Sequence, residues 1–125
     1  MVRAFARWSG VVFLLLGTIG FFVHHLFGLF HFDTVHNVIH LLIGAWGLWA
    51  GTREPSAVLY AKLVGIIYLI LGSLGFFSPG AFGMMELEMA ENLLHLFVGA
   101  LGTYLGFVYA ESRTNSGSPR PRRAA

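Results

Sequence analysis

The sequence has no cysteine, a single lysine and only four prolines in 125 residues. Without cysteine there are no disulfides, no thiolate metal ligands and no cysteine nucleophile, and the redox compartment stays open. Charged residues are also scarce, at 11% against roughly 25% in an average globular chain. The net charge of +2 is too small to argue for nucleic acid as a partner. No glycine-rich phosphate loop follows a strand, and neither a Ser-His-Asp order nor a nucleophile elbow occurs. No enzyme class is specified, and the expectation is a non-enzymatic protein.

What fills the chain instead is apolar: 56% hydrophobic residues, twelve Phe, three Trp and sixteen Gly, with a mean hydropathy of +0.70. The length allows one domain. A water-soluble domain this small cannot hide so much apolar surface. A membrane bundle can use it, because lipid solvates the large side chains and glycine lets helices approach closely.

Four apolar segments stand out at residues 4–23, 35–51, 56–77 and 90–110. Each approaches the ~20 helical residues that cross ~30 Å of hydrocarbon, the second being the shortest. A β-barrel would need alternating polarity over at least eight strands. The expected fold is therefore all-α, an integral membrane four-helix bundle over residues 1–110, followed by a disordered, basic tail at 111–125. Arg3 and Arg7 ahead of an apolar run resemble a signal peptide. No small-x-small cleavage site follows, however, so the segment is expected to stay as the first span.

The basic residues set an orientation. Arg3 and Arg7 precede span one, Arg53 and Lys62 flank the second connection, and Arg113, Arg120, Arg122 and Arg123 follow span four. The other two connections carry Asp33, Glu86 and Glu88, with Glu91 at the edge. Basic residues collect on the cytoplasmic side, so both termini are expected to be cytoplasmic in a multi-pass protein of a bacterial plasma membrane.

Shifted by 55 residues, the chain matches itself without a gap. Over residues 5–51, 17 of 47 pairs are identical, as in "GVVFLLLGTIGFF" against "GIIYLILGSLGFF". Two tandem helical-hairpin repeats follow, at about 5–51 and 60–106. Both run the same way, which implies a pseudo-twofold axis along the membrane normal. Equivalent residues then flank that axis at equal depth.

Within the second span, Asn37, His40, Gly44, Gly47 and Gly51 form one stripe at 3-4-3-4 spacing. Asn92, His95, Gly99, Gly102 and Gly106 repeat it in the fourth. Glycine stripes mark helix contacts and polar side chains avoid lipid, so His40 and His95 should face inward near the external end. One reading of this polar cluster is structural: it hydrogen-bonds the bundle together. A second adds His36 and Glu91, four residues earlier on the same faces. That i, i+4 spacing is the one helical metal sites use. His36, His40, Glu91 and His95 would then form a set suited to Zn, Fe, Mn or Cu, with Asn37 and Asn92 supporting the ligands. His24, His25, His31 and Asp33 in the first loop would feed or extend it. A third reading makes His40 and His95 axial ligands of a b-type haem, and a fourth makes the cluster a proton path.

The stretch "LFGLFHFDTVHNVIHLLIGAWGL", with "ENLLHLFVGALG" after it, resembles a bacterial family classed as domain of unknown function 4383. The matching positions are His36, Asn37, His40, Leu41 and Gly44, then Asn92, His95, Leu96 and Gly99. The resemblance implies a small four-span inner-membrane protein and no particular activity. Glu91 stands where the first unit has His36, so the halves are chemically unequal. The lipid bilayer is the one partner expected. The glycine stripes, which serve dimers as well as bundles, leave a homo-oligomer or another membrane protein open.

Overall fold

The computed structural model describes residues 1–23, 25–26, 30–31, 34–77 and 89–116. Its main elements are helices: α1 (Val2–Gly20), α2 (Thr34–Ala50), α3 (Glu54–Phe77) and α4 (Met89–Thr103). The last runs on through a π-helical stretch (Tyr104–Tyr109) into α5 (Ala110–Ser116). Two short strands, β1 (His25–Leu26) and β2 (Phe30–His31), pair antiparallel in the first loop, with His25 opposite His31.

Among the described residues, three helical segments are long and apolar enough to cross a membrane: Val2–Gly20, Glu54–Phe77 and Met89–Arg113. The fourth, α2, has 17 residues, or about 25 Å at ~1.5 Å per residue. It falls short of that length, as its short apolar run predicts.

Local chemistry sets the ends. Past Gly20 the amides of Phe21 and Phe22 bond back to Thr18 and Ile19, tightening the last turn. Between α2 and α3 the chain reverses within three residues. The Thr52 hydroxyl donates to the Trp49 carbonyl at 2.7 Å, and the Ala57 amide reaches the Arg53 carbonyl at 3.0 Å. Helix α3 starts two residues before the expected Ser56, because Pro55 fits a first helical turn, where its missing N–H is not needed. The fourth helix differs more from expectation. Its π-helical stretch widens the coil beside Lys62, whose ammonium lies 4.7 Å from the Phe107 ring centre. It also continues past 110 to Ser116, with the Ser112 hydroxyl donating to the Tyr109 carbonyl at 2.8 Å. The arginines at 120, 122 and 123 lie outside the described residues.

The helices pack chiefly as two antiparallel pairs, α1 with α2 and α3 with α4. Glycine makes each pair close. A Cβ at Gly44 would stand 2.7 Å from the Leu14 amide nitrogen and 2.8 Å from the Gly10 carbonyl oxygen. Gly99 meets the backbone of Leu69 in the same way. Leu14 and Leu69 are 55 residues apart, as are Gly44 and Gly99. The pairs join along α1 and α3, where Ser9 Oγ lies 3.1 Å from Tyr60 Oη and the rings of Phe13 and Tyr68 stand 5.0 Å apart. The stripes therefore work mainly inside each hairpin, while the aromatics of α1 and α3 fill the middle.

Burial is inverted relative to a soluble bundle. The core holds small residues, a few aromatics and a set of polar side chains: Ser9, His36, Asn37, His40, Glu91, Asn92 and His95. Large apolar residues face outward on every long helix, among them Trp8, Leu15, Leu42, Trp49, Ile70, Phe97 and Val108. Soluble monomers rarely expose contiguous apolar patches beyond a few hundred Å².

Candidate metal centre

The polar cluster forms where the first turns of α2 and α4 meet. His36 and His40 stand one turn apart on α2, and Glu91 and His95 do the same on α4. An i, i+4 pair projects from one helix face, so each helix offers two groups to the same space. All four are buried, none more than 3% exposed. One ligand atom from each lies within 4.8 Å of the others. The closest approaches are 3.1 Å between His36 Nε2 and His40 Nε2, and 3.1 Å between His36 Nε2 and Glu91 Oε1. The imidazole centres of His36 and His40 are 4.2 Å apart, and those of His40 and His95 are 6.3 Å apart.

Neither ring nitrogen of His95 has a hydrogen-bond partner among the described residues, nor has Nδ1 of His40. A buried polar atom left unpaired costs about 1–3 kcal/mol, so nitrogens in this state mark a place where another partner would be stabilising. The four groups bring three imidazoles and one carboxylate to a common point.

Below the cluster lies an aromatic floor that residue spacing alone did not single out. Phe13 stacks on His40 with centres 5.2 Å apart, and the edge of Tyr68 meets His95 at 4.7 Å. Both aromatics are almost fully buried. The signal was present, since residues 13 and 68 pair under the 55-residue shift, but no periodicity ties them to a histidine on another helix. The floor holds each imidazole by packing, which limits the rotamers it can adopt.

The asparagines pack against glycines of the neighbouring helix. Asn37 turns its amide against Gly20 of α1, and Asn92 does the same against Gly75 of α3. No side chain other than hydrogen fits at either glycine while the amide is there. Each asparagine thus packs the open end of its own hairpin. Gly44, Gly47, Gly99 and Gly102 likewise lie against α1 or α3, while Gly51 and Gly106 abut Arg7 and Lys62 near the opposite end. At that end, Arg3 Nε and Arg7 Nε both donate to the Gly51 carbonyl, at 3.1 and 3.0 Å.

His24, Asp33, Glu86 and Glu88 lie outside the described residues, and for His25 and His31 the backbone pairing alone is described. A macrocycle ligated by His40 and His95 needs a slab of space between them, and the His36 ring stands 4.2 Å from one and 6.0 Å from the other.

No curated protein and no solved structure gives a match to this chain. A family model does, over residues 3–108, which takes in the four helices and both halves of the cluster. The chain belongs to the family described as "Domain of unknown function (DUF4383)".

Proposed function

We propose that this protein is an integral membrane four-helix bundle, built from two tandem hairpins, that binds a divalent first-row transition-metal ion through His36, His40, Glu91 and His95. The observation that carries the reading is the convergence of four buried ligand atoms, from two helices, within 4.8 Å of one another. Ligands bound at about 2.0–2.2 Å in a tetrahedron stand roughly 3.3–3.6 Å apart. The two contacts at 3.1 Å are already close to that spacing, so a small outward shift of these two pairs and a contraction of the rest suffice. Charge supports the reading too. An ionised carboxylate away from water is costly unless a cation offsets it, and a divalent ion does so while using the imidazole nitrogens as ligands. Three imidazoles with one carboxylate suit Zn, Fe, Mn or Cu.

The membrane part rests on three apolar helices of spanning length and on an exterior of large apolar side chains. The tandem arrangement rests on the 55-residue self-match and on equal contacts at equal positions, Gly20 with Asn37 and Gly75 with Asn92. In the bacterial plasma membrane, with Arg3, Arg7 and Arg53 on the cytoplasmic side, both termini are cytoplasmic and the cluster lies near the external face. No catalytic step is assigned.

A second reading keeps the cluster as a purely structural polar knot, and the direct contacts of His36 with His40 and Glu91 favour it. Elemental analysis of the detergent-purified chain separates the two. Metal binding predicts about one ion per chain after loading with Zn²⁺ and dialysis, lost in His40→Ala and His95→Ala. Wild-type protein that retains no stoichiometric metal after loading with Zn²⁺, Mn²⁺, Fe²⁺ or Cu²⁺ leaves the structural reading standing.

A further inference from the structure

Between α1 and α4 runs a half-open groove of about 440 Å³. Phe5, Trp8, Val12 and Phe13 form one wall, and Leu94, Phe97, Val98 and Leu101 face them. On α1 the lining extends from Met1 to Phe13, or about 18 Å along the axis at ~1.5 Å per residue. Its shape is that of a slot running along the helices. The walls offer no hydrogen bond: the one hydroxyl, on Ser9, donates to the Phe5 carbonyl at 2.8 Å and pairs with Tyr60.

The other half of the molecule explains why the slot is open. The 55-residue shift carries the α1/α4 groove onto the space between α3 and α2, and there Trp46 occupies the position of Leu101. The Trp46 indole meets Tyr60 edge-on at 5.0 Å and packs against the core. Tyr60 is the counterpart of Phe5. In one half, then, the chain closes the groove with its own indole. In the other half a leucine leaves it unfilled beside the equivalent aromatic ring.

We infer that the α1/α4 groove is a binding site for one hydrocarbon chain of a membrane lipid. The inference rests on the membrane-spanning reading above and not on the metal. Its chemistry is that of the walls, which are apolar throughout, and its form is that of a single extended chain. A second copy of the protein fits poorly. Spread over about 18 Å, a volume of about 440 Å³ leaves a cross-section of roughly 25 Å², too narrow for a helix ~10–12 Å across. The deep end of the slot is the Phe13 ring that stacks on His40, so the bound chain ends one ring away from the polar cluster.

The test is photolabelling of the full chain in phosphatidylcholine vesicles in which a fraction of the acyl chains bears a diazirine. Adducts are mapped by digestion and mass spectrometry. Adducts are expected to concentrate on Val12, Leu94 and Val98 relative to their counterparts Ile67, Ile39 and Ile43. Leu101→Trp should abolish that excess by restoring the missing indole. Trp46→Leu should create a matching excess between α2 and α3, and serves as the check should Leu101→Trp not fold. Even labelling of both grooves overturns the inference while leaving the membrane reading intact. So does a disulfide formed on oxidation between two copies of the Val12→Cys variant, which assigns the groove to a dimer. A chain that fails to float with the vesicles overturns the membrane reading and the lipid site together.

Discussion

The Nε2 of His36 lies 3.1 Å from the Oε1 of Glu91, although the two residues stand at the same position of the two sequence halves, 55 residues apart. One position of the 55-residue self-match thus carries a pair of complementary polar residues. Had both been histidine, the centre would hold four imidazoles and no carboxylate. With glutamate in one half, it combines a hard, anionic oxygen with three nitrogen donors.

Glu91→Gln is expected to separate charge from shape. The amide fills the same space and still hydrogen-bonds, so the helical content of the metal-free chain should hardly change. The carboxylate ligand is lost. Supporting groups around metal ligands are worth ~10–100-fold in affinity, so removal of a ligand should weaken Zn²⁺ binding at least ~10-fold. Competition titration against a chromophoric chelator measures it. An unchanged affinity places Glu91 outside the ligand set.

Metal retention should depend on pH with a definite sign. Each imidazole must be neutral and the carboxylate ionised for the ion to bind, so protons compete with metal. Affinity is expected to fall steadily as the solution is made acidic, with release of the ion, and to recover on neutralisation. Equilibrium dialysis at a series of pH values checks this. Retention that is flat with pH argues against histidine ligation.

Gly44→Val should be among the most damaging single changes in the chain. Its Cβ would meet the Leu14 amide nitrogen at 2.7 Å and the Gly10 carbonyl oxygen at 2.8 Å, and backbone cannot rotate away as a side chain can. Overpacking of a close contact costs about 1–3 kcal/mol. Thermal unfolding in detergent should show a clear fall in Tm, and Gly99→Val should show a similar one against Leu69.

Arg3 and Arg7 should behave as a pair. Both donate to the Gly51 carbonyl, so either alone still caps the C-terminal end of α2. Single alanine substitutions are expected to be mild, and the double variant to cost more than their sum, by up to ~1 kcal/mol, the worth of an ordinary hydrogen bond. A double-mutant cycle on unfolding in denaturant measures the coupling. Strict additivity shows that the two bonds act independently.

The absence of native cysteine makes sidedness simple to read. Val23 and Thr52 lie at opposite ends of the bundle, and both are exposed. In intact cells an impermeant thiol reagent should label Val23→Cys and leave Thr52→Cys untouched until the membrane is breached. The reverse pattern inverts the proposed orientation.

Much of this architecture is local information, and local information is legible. Apolar runs of helical length, a turn between Gly51 and Pro55 and glycines at 3-4-3-4 spacing all act within one or two neighbouring segments. The i, i+4 pairs are of the same kind: His36 with His40, and Glu91 with His95, share a face wherever the helix goes. Length misled at the fourth helix, since nothing in the apolar pattern announces a π-helical stretch at Tyr104–Tyr109 or a continuation to Ser116.

By itself, then, the sequence determined the four helices, the 55-residue self-match and the two i, i+4 pairs of the polar cluster, because each follows from periodicity, composition or the comparison of the chain with itself. The tertiary structure alone decided how these parts meet. It brought His36 to Glu91, laid Phe13 and Tyr68 beneath His40 and His95, and turned Asn37 and Asn92 onto Gly20 and Gly75. It also left the α1/α4 groove open where Trp46 closes its counterpart. The physical reason is that such distances depend on how closely helices from different hairpins pack and on which side chain fills each gap. No spacing along a single chain encodes either.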